Sequence, residues 1–460
     1  MKFSKFIHLL EIREDIVAIF HSISLATIYT KIPKIKLLKY YSNTPTEIIK
    51  NEFISNGDSK LSLYNKLITK KFFVSENYSE KQITKNIFEL NTSKLNINTA
   101  YFLITNTCNL SCKYCVVVNN KKIKNSQTMQ PEMITKYLNY FYKNHDKNAK
   151  EINITIYGGE PLLYPDIIEK IWSESIRIFN KYLDKLNFII LTNSLLIDEK
   201  KLELLKKNKV QVVVSLDGDE ETTNANRVDK KGHGVYKQII KKLQILKKNN
   251  INYSISCTIG IGNENKTFST FKHIAETAGT KDIGLNYIMD IDNYDRTDEN
   301  YARAVTEGLI KIHEKYHKTN FYEDRLARKI KAYTDKTPII KDCTGCGKQI
   351  VFTPDNKIGP CQSFYSENMY FHDFEDNLDL TNLSFSEWNK LTPFNKSECL
   401  DCIALGSCGG GCPYRTFKNK QDISSNDDVF CIHSKMLIKH LIEFSYLKSA
   451  ANKTINPTGR

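Results

Sequence analysis

Long hydrophobic runs are missing from this 460-residue chain. Its most apolar early stretch, residues 16–29, is too short to span a bilayer and contains His21, Ser22 and Ser24. Glu11, Arg13, Glu14 and Asp15 precede it where a secretory signal would be basic, and no small-residue cleavage site follows. A cytoplasmic protein with no membrane partner is therefore expected. There is no fixed-period repeat and no long low-complexity linker, so the length is read as two to four globular domains. Acidic residues are in deficit: 52 Asp+Glu stand against 66 Lys+Arg, a net charge of +14. The excess is diffuse, as in residues 241–250, which have the pattern of a solvated helix face. Such charge is compatible with an acidic peptide. No basic motif with interleaved aromatics is present, so no nucleic acid partner is expected.

Cysteine, by contrast, is abundant. Eleven of the twelve fall into three groups: Cys108, Cys112 and Cys115; Cys343, Cys346 and Cys361; and Cys399, Cys402, Cys408, Cys412 and Cys431. Cys257 stands apart in the apolar run 255–259, which reads as a buried strand. Disulfides typically staple small secreted domains, and a chain of this length buries a core without them. Clustered thiols in a large chain instead indicate metal in a reducing compartment. In Cys108-Asn-Leu-Ser-Cys112-Lys-Tyr-Cys115, three thiolates lie on one loop with C-x3-C-x2-C spacing. They can hold three irons of a cubane [4Fe–4S] cluster and leave the fourth iron open to a small molecule. The alternative is a structural zinc loop, which usually shows paired C-x2-C knuckles.

Around this loop, strand-like and helix-like stretches alternate. Strands are expected at residues 100–106, 152–157, 188–193, 211–216, 253–259 and 283–288. Amphipathic helices are expected at 131–143, 164–182, 198–206 and 236–248. The pattern predicts an α/β fold with a parallel sheet. Six such units, with the cysteine loop directly after the first strand, closely resemble the partial (β/α)6 barrel of radical S-adenosylmethionine (SAM) enzymes. That resemblance implies that SAM chelates the open iron through its amino and carboxylate groups. It implies too that reductive cleavage gives a 5′-deoxyadenosyl radical able to take hydrogen from an unactivated C–H bond.

Chemistry in α/β barrels sits at the C-terminal strand ends, and three motifs there match the family. After strand two, Gly158-Gly159-Glu160-Pro161 resembles the contact to the SAM amino group. Its glycines allow close backbone approach, and its carboxylate can accept from an ammonium. After strand four, Ser215, Asp217 and Arg227 match the stretch that holds SAM, with the guanidinium suited to its carboxylate. Tyr114 matches an aromatic beside the adenine, and Ile288, ending strand six, an aliphatic packed on the cofactor.

The C-terminal third reads Cys346-x9-Asn356-x4-Cys361, then Cys399-x2-Cys402-x5-Cys408-x3-Cys412-x18-Cys431. This resembles the SPASM domain, which holds two auxiliary [4Fe–4S] clusters and brings the expected total to three [4Fe–4S] clusters. The family usually has glycine at the position of Asn356 and a final gap one residue shorter. Asparagine tolerates the same left-handed turn. By the resemblance, Cys343, Cys346, Cys361 and Cys412 bind the first auxiliary cluster, and Cys399, Cys402, Cys408 and Cys431 the second. Full ligation keeps SAM off both, which leaves them electron transfer and structural closure.

The domain reading is residues 1–95, a peptide-recognition element; 96–300, the radical SAM core; 301–340, a bridging region; 341–445, the SPASM domain; and 446–460, a tail. In the first 95 residues a hairpin (16–20, a turn at His21-Ser22, then 23–32) precedes helices near 46–56 and 59–69 and a strand-like Phe72-Phe73-Val74. This resembles the small winged-helix element with which peptide-modifying enzymes grip a leader peptide by adding it to a sheet edge.

Two branches of the family then compete. Sulfatase-maturing enzymes make formylglycine with an aspartate base immediately after the Gly-x4-Cys cysteine. Here that residue is Gln362, whose amide cannot take a proton. The other branch matures ribosomally made peptides by crosslinking side chains or epimerising residues. The expectation is a crosslinking enzyme for a precursor peptide, served by a reductant such as flavodoxin or ferredoxin. Sulfatase maturation and epimerisation are the alternatives. Epimerisation needs a hydrogen-atom donor, and Cys257 is the one thiol left to nominate. Tyr157 and Gln362 face the expected cavity if the resemblance holds, and no catalytic acid or base is named. A zinc-bearing scaffold and a small-molecule enzyme of the same family are the readings from other classes.

Overall fold

The N-terminal region carries β1 (Lys2–Phe3), β2 (Ile7–Arg13), β3 (Ile16–His21), β4 (Thr27–Thr30) and β5 (Phe73–Val74). β2, β3 and β4 form an antiparallel sheet in that order, and β1 pairs with β5. The expected hairpin is β3–β4. Its second strand is confined to Thr27–Thr30 because Leu25 adopts left-handed backbone, φ 57°. β2 has no counterpart in the sequence expectation, since Glu11 and Arg13 break its apolar run. β3 is buried on both faces: Val17 and Ile19 pack with Phe3, Leu37, Tyr40 and Phe73, while Ala18 and Phe20 join the main core. Burying each large apolar side chain in this way contributes about 1.5–3 kcal/mol, which fixes the N-terminal region to the body.

The computed structural model describes residues 1–54, 58–75, 77–117, 125–260, 263–287 and 299–455. Helices Thr46–Ile54 and Asp58–Thr69 match the expected pair, whose first member was drawn on to residue 56, outside the described residues. A further helix, Glu80–Thr92, opens at Ser79, whose hydroxyl accepts from Gln82 N at 3.3 Å. The Ser-x-x-Gln spacing is an N-terminal capping signature.

The core sheet contains β6 (Thr99–Leu103), β7 (Ile152–Tyr157), β8 (Leu186–Thr192), β9 (Gln211–Ser215), β10 (Tyr253–Ile259) and β11 (Ile283–Tyr287). They lie side by side in chain order, and every adjacent pair is parallel. β6 ends at Leu103, three residues short of expectation, because the chain leaves the sheet at Thr105 to bridge Thr128. Register sorts the side chains. Ala100, Ile154, Ile190, Val212, Val214, Ile255 and Cys257 belong to the core shared with Ile168, Ile171, Leu205 and Ile239 of the covering helices. The opposite, inner face carries Tyr101, Thr155, Tyr157, Gln211, Ser215, Ser256 and Asn286, a mostly neutral polar surface.

A strand from the cysteine-rich third extends this sheet. β12 (Gln349–Phe352) pairs in parallel with β6 on the side away from β7, followed by antiparallel β13 (Lys357–Gly359) and β14 (His372–Asp373). β12 is fully buried, and Phe352 stacks on Tyr137 with ring centroids 4.7 Å apart. Asn356, in the β12–β13 turn, has φ 60°, the left-handed backbone expected of it, and accepts from the Tyr137 hydroxyl at 2.9 Å. The chain closes with a 28-residue helix, Asp428–Ile455, which runs across the expected 445/446 boundary. Among the described residues no helix is long and apolar enough to cross a membrane.

Candidate functional site

The loop after β6 is pinned before its cysteines begin. Asn106 donates to Asn125 O and accepts from Gln127 N at 2.8 Å, while Gly159 N and Glu160 N donate to Thr105 O and Thr107 O at 2.7 and 2.8 Å. A Cβ on Gly158 would lie 2.4 Å from Thr105 O, and one on Gly159 2.1 Å from Thr107 O. The two glycines therefore let the β7 end close on the backbone leading into Cys108.

The three thiols that follow share one short loop. Burial pushes Cys108 up to about 12, with the Leu110 N–H opposing and the neighbouring Cys115 and Cys112 adding to it. Burial likewise pushes Cys112 up to about 11, against the pull of Arg227. A pocket that collects three thiols and disfavours the charged forms of Cys108 and Cys112 fits a cationic occupant that deprotonates its ligands. Leu110 N lies 3.4 Å from Cys108 Sγ, and Asn193 Nδ2 lies 3.8 Å from the same sulfur while donating to Asn109 Oδ1 at 2.8 Å. Asn193, at the end of β8, is missing from the sequence expectation.

Beside this loop lies a buried charge network. Arg227, at the end of the helix Glu220–Asn226, donates Nε to Asp217 Oδ2 at 2.9 Å and Nη2 to Oδ1 at 3.2 Å. Asp217 is fully buried and also accepts from the Tyr114 hydroxyl and from Thr258 N. The guanidinium stands 5.3 Å from the Tyr114 ring centroid and turns Nη1 to Cys112 Sγ at 3.9 Å. Burial works against the Arg227 charge and Asp217 more than restores it, so the group is held cationic. Glu160 is also fully buried: Oε1 accepts from Thr192 Oγ1 at 2.7 Å and Leu162 N at 3.0 Å, and Oε2 from Asn193 N at 2.8 Å. The structure thus brings Tyr114, Gly158, Gly159, Glu160, Asp217 and Arg227 around the cysteine loop. Ser215 ends β9, half-buried, and Ile288 lies outside the described residues.

The remaining cysteines sort into two crossed sets. Cys343 and Cys346 share a hydrogen bond that favours the thiolate at Cys343 and the thiol at Cys346. The Cys343 charge in turn raises Cys361 and Cys412, after burial. Cys399, Cys402, Cys408 and Cys431 line one closed cavity with Leu405 and Phe430. Asp427 stands between the sets: its carboxylate accepts from Cys412 N at 3.0 Å, lines that cavity and pairs with buried Arg415 at 2.7 Å. All twelve cysteines are free of disulfides. Among the described residues no three Cys, His, Asp or Glu side chains are arranged to hold a single metal ion. Four sulfurs facing one cavity suit a cluster better than the close tetrahedron of one zinc.

Residues 102–278 match the Radical SAM superfamily. This chain carries a radical SAM domain. The family implies a [4Fe–4S] cluster and SAM, and the three sulfurs and the buried Arg227 guanidinium beside them fit both. The Radical SAM cyclopropyl synthase TigE of Paramaledivibacter caminithermalis is 26% identical over 96% of this chain and 95% of its own. A cysteine-type anaerobic sulfatase-maturating enzyme of Clostridium perfringens is 25% identical over 75% of this chain and 95% of its own. Among solved structures, native anSMEcpe with bound AdoMet aligns with a TM-score of 0.64 at 21% identity, covering 77% of this chain and 99% of that one. Streptococcus suis SuiB bound to precursor peptide SuiA aligns with 0.55 at 16% identity, covering 94% and 99%. These structures share the fold: an α/β radical SAM domain with a mostly parallel sheet.

The inner face of the sheet carries Tyr157 from β7 and Gln349 from β12, and Gln349 in turn meets Gln362. Tyr157 lies near both Cys115 and Cys361, and burial with their charges holds its hydroxyl protonated. Gln362 accepts from Gln349 Nε2 at 3.2 Å, and that same amide donates to Pro360 O at 2.7 Å. Gln349, on β12, is a second residue that the sequence reading missed. Cys257 is fully buried on the outer face of β10, packed toward the helices, so it is turned away from the inner surface where a hydrogen-atom donor would stand.

Proposed function

We propose that this protein is a radical SAM/SPASM peptide maturase that forms an intramolecular side-chain bond in a ribosomally made precursor peptide. The observation that carries this reading is the extent of the likeness to the cyclopropyl synthase, which spans 96% of this chain, whereas the sulfatase-maturating likeness spans 75%. Cyclopropane closure, the reaction in that relative's name, is one form of such a bond.

Cys108, Cys112 and Cys115 would hold the cluster that binds SAM, and the pair supplies a carbon-centred radical able to abstract hydrogen when both are bound. Arg227 is the cation available to the SAM carboxylate, and Asp217 positions it by occupying Nε and Nη2. Glu160, its oxygens already engaged, positions Asn193 and the turn after Gly159. The ammonium contact then belongs to the glycine backbone. Tyr101, Tyr157, Gln349 and Gln362 would line the peptide's path with neutral groups, and Gln362 stands where the sulfatase branch needs a base. Cys343, Cys346, Cys361 and Cys412, and Cys399, Cys402, Cys408 and Cys431, would hold two further clusters, closed to SAM. Residues 1–95 would hold the leader, and an acidic reductant such as flavodoxin or ferredoxin would complete the system in the cytoplasm.

The test is the intact mass of the short peptide encoded beside this gene, co-expressed with the enzyme and, in parallel, with Cys108→Ala. Each bond formed replaces two hydrogens, so a loss of two hydrogens per event, seen only with the intact enzyme, is expected. An unchanged mass with the wild type overturns the crosslinking reading.

A further inference from the structure

The closed cavity lined by Cys399, Cys402, Cys408 and Cys431 also takes a hydroxyl from the closing helix, Asp428–Ile455. Ser434 follows Cys431 by one turn of that helix, so the two side chains share a face. It is fully buried, it lines the cavity with the four sulfurs, and its hydroxyl has no hydrogen-bond partner among the described residues. A serine inside a helix can return its hydroxyl to the carbonyl four residues earlier. Ser175 and Thr306, buried in their own helices, do so, donating to Ile171 O and Ala302 O at 2.6 Å. Ser434 does not. A buried hydroxyl left unbonded is destabilising unless something in the cavity accepts from it.

The other polar side chains of the lining, the cysteines aside, are engaged. Asn426 accepts from Lys396 Nζ and donates to Glu398 Oε1, both at 3.2 Å, and Asp427 pairs with Arg415. Ala404 N lies 3.4 Å from Cys402 Sγ, so one backbone donor already meets a sulfur. Behind the cavity wall sits a cation. The buried Lys329 ammonium donates to Ser407 O at 2.9 Å and Cys408 O at 3.3 Å, and it stands 4.5 Å from the ring centroid of Phe430, which lines the cavity. A free donor and a buried cation at one cavity suit an anionic occupant, which a cluster held by four thiolates is.

We propose that the Ser434 hydroxyl donates a hydrogen bond to a sulfur of a cluster held by Cys399, Cys402, Cys408 and Cys431, and so makes that cluster easier to reduce. The proposal rests on the reading that these sulfurs hold a cluster, and it adds a residue that sets the potential. An electron taken up there adds a negative charge, and a donor to sulfur stabilises the more negative form. Ser434 is a positioning residue: it acts through the cluster and not on the peptide.

The experiment is potentiometric titration of the full-length, anaerobically reconstituted enzyme, followed by electron paramagnetic resonance of the reduced clusters. Cys402→Ala identifies the signal of the second set as the one it removes. Ser434→Ala should keep wild-type iron content and lower the midpoint potential of that signal alone. The expected change is about tenfold in its reduction equilibrium, which is about 59 mV for one electron. Electron–nuclear double resonance after exchange into heavy water gives a second readout: a deuteron coupled to the reduced cluster in wild type and absent in Ser434→Ala. An unchanged midpoint, or the same deuteron couplings in both proteins, overturns the hydrogen bond and leaves the cluster reading intact. Iron content unchanged by Cys402→Ala overturns the cluster reading and this proposal with it.

Discussion

Asp217→Ala isolates the buried pair beside the cysteine loop. Asp217 is fully buried, and its carboxylate accepts two bonds from Arg227, one from Tyr114 and one from Thr258 N. Removing it strands a guanidinium whose side chain is 9% exposed. Breaking a buried pair from one side costs about 3–5 kcal/mol, because an uncompensated charge remains. At roughly 2–4 °C per kcal/mol for a domain of this size, melting should fall by about 10 °C. Arg227→Met with Asp217→Leu removes both charges and keeps the volume, so it should recover most of that loss. The two roles then separate. The double variant should be nearly as stable as wild type and still fail to retain SAM in equilibrium dialysis, since the cation for its carboxylate is gone. A melting temperature unchanged by Asp217→Ala, or SAM retained by the stable double variant, would refute the reasoning.

Gly159→Ala should release iron. Its Cβ meets Thr107 O at 2.1 Å, so the loop must move, at an overpacking cost of about 1–3 kcal/mol; iron content equal to wild type after anaerobic reconstitution would count against this. Glu323 caps the helix Asp324–Asp335, accepting from Leu326 N at 2.8 Å and Leu285 N at 3.1 Å, and burial raises it to about 7 with Arg325 opposing. The folded state then holds this proton more tightly than the unfolded chain. Stability from this group is present below about pH 4.5 and is lost as pH rises through about 7, a change of about 3 kcal/mol. Glu323→Gln should therefore gain melting temperature over wild type at pH 8 but not at pH 4.5; an equal difference at both pH values would sink the assignment.

The sequence exposes a site residue when its signal is local, and hides it when the signal is register. Cys108, Cys112 and Cys115 are legible because three thiols on eight residues need no fold to be neighbours. Asn356 is legible because a left-handed turn is a property of one residue. Asn193 and Gln349 are silent: each reaches the site only because β8 and β12 lie where they do in the sheet, and β12 joins β6 across some 250 residues of chain. The crossed membership of Cys412 is legible only through family likeness, since its nearest cysteines in sequence belong to the other set. Carboxylates are the instructive case. Residue type offers Glu160 and Asp217 as groups that contact SAM, yet the structure spends their oxygens inside the protein. A buried site cannot leave carboxylates free, because a charge taken out of water must be neutralised by hydrogen bonds or a cation. Glu160 is neutralised by backbone N–H groups and a hydroxyl, and Asp217 by Arg227. On the proposed reading, what is left to recognise SAM is backbone and one guanidinium, and the two acids hold them in place.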